Sequence, residues 1–167
     1  SIILIAFGIG AVYSGIDGRN FVRGELAKEK IVGTDDSEIA GQKVDTGSEA
    51  RKFAETMRKH TLAATGGKTY AELDRYLAKD GGTTNDESAA LTEDGKAVEN
   101  PLRQMWVTET ALTTALNTSY FAEQVALFSI VMGVALLLTG VGFGIVSVRL
   151  LSRDGKTADS RVPAATA

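Results

Sequence analysis

Two stretches of the chain carry no charged side chain, residues 1–16 and residues 125–148, and the segment between them mixes charged and apolar positions at helical spacing. The later stretch, Val125–Val148, lies between Glu123 and Arg149 and is apolar on every face of a helix. A helix of this length measures roughly 36 Å, enough to cross a hydrocarbon core of roughly 30 Å with some tilt. A soluble helix normally keeps one polar face, so this run predicts a membrane helix. Tyr120 and Phe121 stand at its start, where interfacial aromatic side chains are favoured.

Ser1–Ile16 is apolar but short for a full span. It opens without Met or a charged flank, and its helical pattern continues through Tyr13, Asp17, Phe21 and Leu26. The expectation is a first membrane helix whose beginning precedes Ser1. The hydrophobic region of a cleaved signal peptide is the competing reading, and it wants a basic leader that is absent here.

In the middle segment, Thr46 or Ser48 can cap a helix with apolar positions Ala50, Phe53, Ala54, Met57, Thr61 and Ala64, stopped by Gly66-Gly67. Thr69-Tyr70-Ala71-Glu72 matches a capping box and predicts a short helix with Tyr70, Leu73, Tyr76 and Leu77 on one face, ended by Asp80-Gly81-Gly82. Residues 33–47 and 83–98 read as irregular, with no convincing strand pattern. Asn100-Pro101 supplies an N-cap and a first helical residue, and no glycine or proline follows until Gly133. The expected fold is an all-α membrane protein in which two transmembrane helices extend into a small extracytoplasmic helical domain. Its parts are a first transmembrane helix (1–16), the domain (17–124), a second transmembrane helix (125–148) and a cytoplasmic tail (149–167). The expected domain core is Phe53, Met57, Tyr70, Leu73, Tyr76, Leu77, Met105 and Trp106, thin enough to suggest that the domain leans on a partner.

Charge adds orientation. After the second span come Arg149, Arg153, Lys156 and Arg161 against Asp154 and Asp159, while residues 17–124 hold 14 basic and 19 acidic side chains. Basic flanks are retained on the cytoplasmic side, which predicts a two-pass bacterial cell-membrane protein with both termini cytoplasmic and 17–124 outside. The chain has no cysteine and one histidine, His60. These counts leave no disulfide framework, cysteine nucleophile or His-rich metal centre. The acidic clusters Asp35-Asp36-Glu38 and Asp86-Glu87 lack EF-hand spacing and read as solvated loops.

Neither span contains Asp, Glu, Lys, Arg or His, so a proton or ion path through this chain is not expected. Small residues stand four apart instead: Ala6 and Gly10, Ala11 and Gly15, Ser129 and Gly133, Gly140 and Gly144. Such spacing allows close approach of another helix, and these eight are the candidate packing residues. No catalytic, cofactor-binding or metal site is expected.

Tyr13-Ser14-Gly15-Ile16 and Leu26-Ala27-Lys28-Glu29-Lys30-Ile31 resemble the opening of a family of small actinobacterial two-span membrane proteins. Gly66-Gly67-Lys68-Thr69-Tyr70-Ala71-Glu72-Leu73 and Asn100-Pro101-Leu102-Arg103 resemble its middle motifs. Members are often labelled aromatic ring-opening dioxygenase, a label that fits badly, because one histidine cannot supply that enzyme's iron ligands. Similar two-span proteins are accessory subunits of the cytochrome bcc–aa3 respiratory supercomplex. The resemblance implies a non-catalytic accessory or assembly subunit of a bacterial respiratory complex, with no cofactor of its own. Its partners would be other membrane subunits, haem-containing ones among them, and lipids, with no nucleic acid. The alternative is a membrane-anchored extracytoplasmic sensor or ligand-binding protein, disfavoured by the small polar tail.

Overall fold

The computed structural model describes the backbone of residues 1–159 and the side chains of residues 1–150. It is 67% helical, with three α-helices among the described residues: α1 (Ile2–Lys28), α2 (Gly47–Ala64) and α3 (Pro101–Asp159). Between α2 and α3 lie four two-residue strands: β1 (Tyr76–Leu77), β2 (Thr83–Thr84), β3 (Thr92–Glu93) and β4 (Lys96–Ala97). The expected tail, 149–167, continues α3 as far as Asp159, and its last eight residues lie outside the described residues. By contacts the chain divides into two compact units, one of residues 22–123 and one of residues 1–21 together with those from 124 onward.

α1 and α3 are both long and apolar enough to cross a membrane, which fits a membrane protein. Only 11% and 17% of their most apolar windows are buried. A helix at the core of a soluble protein would bury most of such a window, so these two are apolar without a protein interior to explain it.

In the 22–123 unit the helix boundaries follow from local chemistry. Thr46 has extended backbone angles and caps α2, with the Glu49 carboxylate accepting from the Thr46 backbone at 2.9 Å and the Thr46 hydroxyl accepting from the Glu49 N–H at 3.4 Å. At the other end Gly66 (φ +64°) and Gly67 (φ +80°) turn the chain left-handed. The Gly67 N–H reaches the Leu62 carbonyl at 2.7 Å and the Gly66 N–H the Ala63 carbonyl at 3.2 Å, a Schellman closure. The α3 start is as expected from Asn100-Pro101: Asn100 Oδ1 accepts from the Leu102 N–H at 3.0 Å.

The core departs from expectation. It gathers Leu26, Ile39, Val44, Ala50, Ala54 and Leu116, with Val22, Ile31, Phe53 and Met57 packed against it. Ile39 and Val44 come from the stretch read as an irregular excursion. That stretch folds back on itself through the Val32–Lys43 and Gly33–Ala40 bridges, and a Cβ at Gly33 would collide with the Ile39 carbonyl. Of the expected core residues, Leu73 and Trp106 are buried, whereas Tyr70 and Met105 are exposed.

The helix expected after Thr69 is corrected to a single 3-10 turn, Tyr70–Glu72, followed by an extended Leu73. An amphipathic stretch this short does not hold itself helical in water. Its backbone groups find partners across the chain instead, Leu77 N–H on the Val98 carbonyl at 3.0 Å and Leu91 N–H on the Leu77 carbonyl at 2.7 Å. The all-α expectation is corrected accordingly at β1–β4. β1 pairs antiparallel with β2, Tyr76 opposite Thr84, and β3 pairs with β4 around Asp94-Gly95. Asp94 (φ +51°) and Gly95 (φ +77°) are both left-handed, as a two-residue hairpin turn of matching twist requires.

One buried acid ties this unit together. Glu123, 6% exposed, accepts from Arg23 Nε at 2.7 Å and from the Gly47 N–H at 2.6 Å. The carboxylate therefore joins α1, the first turn of α2 and α3, and sits at the positive end of the α2 dipole. A Cβ at Gly47 would stand 2.7 Å from Tyr120 Cα, so only glycine lets the two helices meet here. Replacing Glu123 by Ala strips a charged partner from the buried Gly47 N–H and from Arg23. The variant is expected to lose roughly 1–3 kcal/mol of stability, measured by urea unfolding of the purified protein in detergent.

Candidate functional site

The unit formed by residues 1–21 and 124 onward is built on an antiparallel seam between α1 and α3. Residues on the seam recur at alternating steps of four and three: Ser1 just before α1, Ile5, Gly8, Val12 and Gly15 on it, and Ala126, Ile130, Gly133, Leu137 and Gly140 on α3. This is the 3.5-residue period of two helices that keep one face toward each other. Small and large residues alternate along each helix, and each glycine receives a large side chain from the other. A Cβ at Gly8 would lie 2.7 Å from Leu137 Cγ, one at Gly15 2.6 Å from Ile130 Cγ1, one at Gly133 2.7 Å from Val12 Cγ2, and one at Gly140 2.8 Å from Ile5 Cγ1.

Backbones also touch. The Gly133 carbonyl oxygen would be 2.8 Å from a Cβ on Gly8, and the Gly8 carbonyl oxygen 2.7 Å from one on Gly133. Ser129 Oγ donates to the Ala11 carbonyl at 2.9 Å, satisfying a hydroxyl that lipid could not.

The eight candidate packing residues thus fall in two places. Gly15, Gly133 and Gly140 lie in the seam, and Ser129 and Ala11 share its hydrogen bond. Gly144 lies at its edge, with Ser1 Cβ 3.9 Å from where its own Cβ would stand. Ala6 and Gly10 face away: both are exposed, and nothing comes within 4 Å of a Cβ on Gly10. The seam residues that the four-residue spacing passes over are Gly8 and Ala126 together with the large residues Ile5, Val12, Ile130 and Leu137. The seven-residue interval between Gly8 and Gly15, and again between Ala126, Gly133 and Gly140, is the signal that locates them.

The other candidates for chemistry are spent locally in the 22–123 unit. His60 Nε2 and Asp36 Oδ2 are 2.5 Å apart, clasping α2 to the 31–44 loop. That bond, with a second from Thr34, holds the Asp36 carboxyl below the usual carboxylate range. Glu38 pairs with Lys52 at 3.6 Å. Asp86 accepts from the Ser88 N–H and hydroxyl, which lowers its pKa as well. Among the described residues no three His, Cys, Asp or Glu side chains are grouped to hold a metal. Set against protein-family models, curated proteins and solved structures, the chain matches none.

Two outcomes follow. Leucine at position 133 has no room beside the Gly8 backbone, and overpacking of this kind costs about 1–3 kcal/mol. Gly133→Leu is therefore expected to lower the thermal unfolding midpoint in detergent, while Gly10→Leu, on the open face, leaves it unchanged. The Asp36–His60 clasp carries a pH signature. Because the carboxyl is depressed in the folded state, its contribution is present above the unfolded carboxyl's pKa and disappears as pH falls through the folded value. In urea titrations the stability gap between the wild type and Asp36→Asn is expected to close as pH falls below roughly 5, through the carboxylate range.

Proposed function

We propose that this chain is a non-catalytic accessory or assembly subunit of a bacterial membrane respiratory complex, stabilising it through membrane and extracytoplasmic contacts. In this reading both termini are cytoplasmic and residues 17–124 lie outside, an orientation supported by the basic residues that follow Val148.

The observation that carries the reading is the division of small residues between two faces. The seam uses Gly8, Gly15, Gly133 and Gly140, yet Ala6 and Gly10 remain on the outward side of α1 with open space over Gly10. Lipid offers a helix no hydrophobic gain for thinning its surface, whereas a neighbouring helix can approach only where side chains are small. The rest of the outward surface is bulky, with Phe7, Phe128 and Phe143 all more than half exposed. The small core of the 22–123 unit supports the same view, since it leaves little stability to spare without a partner. The resemblance to accessory subunits beside the cytochrome bcc–aa3 supercomplex points to haem-containing subunits as the neighbours.

Mild detergent extraction of native membranes, followed by affinity purification on this chain, tests the proposal. Haem proteins are expected in stoichiometric amount, and Gly10→Leu is expected to reduce their recovery several-fold while the purified chain keeps its fold. Recovery as a lone, folded monomer contradicts it.

A further inference from the structure

The 22–123 unit holds an open cavity of about 310 Å³, lined among others by Tyr70, Arg75, Tyr76, Glu99, Arg103 and Val107. The segment 17–124 has five more acidic than basic side chains, yet two arginines face a single glutamate here.

The cavity is built rather than incidental. Arg103 is fixed in place: its Nη1 donates to the Leu73 carbonyl at 2.8 Å, and its guanidinium lies 4.0 Å from the centre of the Tyr70 ring. The remaining N–H donors of that fork stay available. Asn100, 2% exposed, is also part of the lining and is fixed as firmly. Its N–H reaches the Arg75 carbonyl at 2.8 Å and its side-chain amide the Asp74 carbonyl at 2.9 Å. Tyr76 and Glu99 are held face to face by an antiparallel bridge.

Two charges at this cavity, both on exposed residues, are left over by the fold. Among the described residues, neither the Arg75 guanidinium nor the Glu99 carboxylate makes an ion pair or side-chain hydrogen bond, and the two do not pair with each other. A cavity that presents a cationic pair and a separate carboxylate is complementary to a molecule carrying both signs. A lone anion would meet Glu99, and a lone cation would meet the arginines.

We infer that this cavity binds a small zwitterion, with its acid group on Arg75 and Arg103 and its ammonium on Glu99 beside the Tyr76 ring. Arginine forks favour carboxylate and phosphate oxygens, and an aromatic face favours a cation. This chemistry is shared by free α-amino acids and by the phosphoethanolamine headgroup of a lipid. The inference stands apart from the subunit reading, because it concerns the isolated chain.

Isothermal titration of the full chain in uncharged detergent micelles tests it, using leucine, serine and phosphoethanolamine, with acetate and ethylammonium as the two half-ligands. At least one zwitterion is expected to saturate at micromolar to roughly millimolar concentration. Arg75→Gln and Glu99→Gln should each weaken it about tenfold or more, with unchanged thermal unfolding. Saturation by an amino acid identifies a free solute as the source, and saturation by phosphoethanolamine alone identifies a headgroup. The inference is overturned if no zwitterion saturates, if both variants bind as the wild type does, or if acetate alone binds as tightly.

Discussion

Two helices in a bilayer gain nothing by hiding apolar surface from lipid, so whatever holds them together must come from contact between the helices themselves. Here that contact is an interleaving of glycine and branched side chains. Gly8 takes Leu137, Gly15 takes Ile130, Gly133 takes Val12 and Gly140 takes Ile5, and at Gly8 and Gly133 the two backbones come within touching distance. No other residue fits at these four positions without displacing backbone or a packed side chain. The antiparallel course of α1 and α3 in this unit follows from the seam, and the outward surface is what the seam leaves over.

The 22–123 unit is organised on a different principle, because water competes for its polar groups. Its apolar core is small, and it relies on carboxylates placed where donors converge. Glu123 joins Arg23 and the first turn of α2, Glu72 reaches back to Thr69, and Asp74 collects Thr83 and Asn85. Each interaction closes a short segment that has too little apolar surface to order itself. The acidity of this segment is thus partly structural, spent on capping turns and fastening loops.

The long helices were readable from sequence because their signals are local and repeated. The uncharged run between Glu123 and Arg149 marks the apolar length of α3, while the Asn-Pro start and the Gly66-Gly67 stop each fix a boundary through one physical cause. The segment from Tyr70 to Val98 was less readable. Tyr70, Leu73, Tyr76 and Leu77 have helical spacing, but their backbone partners lie at Leu91 and Val98, which periodicity does not reveal. Asp94-Gly95 did announce a hairpin, and its signal was masked by the polar residues around it. Ile39 and Val44 were hidden in a glycine- and aspartate-rich stretch whose bridges create their burial. At the packing site, a four-residue spacing of small residues found Gly15, Gly133 and Gly140, whereas the seam repeats every seven. The shorter spacing therefore passed over Gly8 and also marked Ala6 and Gly10, which lie on the other side of α1.

The pairing of α1 with α3 can be tested just past Gly15, with the protein still in its membrane, since the chain has no cysteine of its own. A Cβ on Gly18 would lie 3.9 Å from Ala126 Cβ, close to the separation a disulfide bridges. The double variant Gly18→Cys/Ala126→Cys, oxidised in carbonate-washed membranes, is predicted to form an intramolecular disulfide in nearly every copy, detected as a faster-migrating band that reduction abolishes. Free thiols after oxidation, or a protein released into the carbonate wash, would contradict a pair of helices closed against each other in the bilayer.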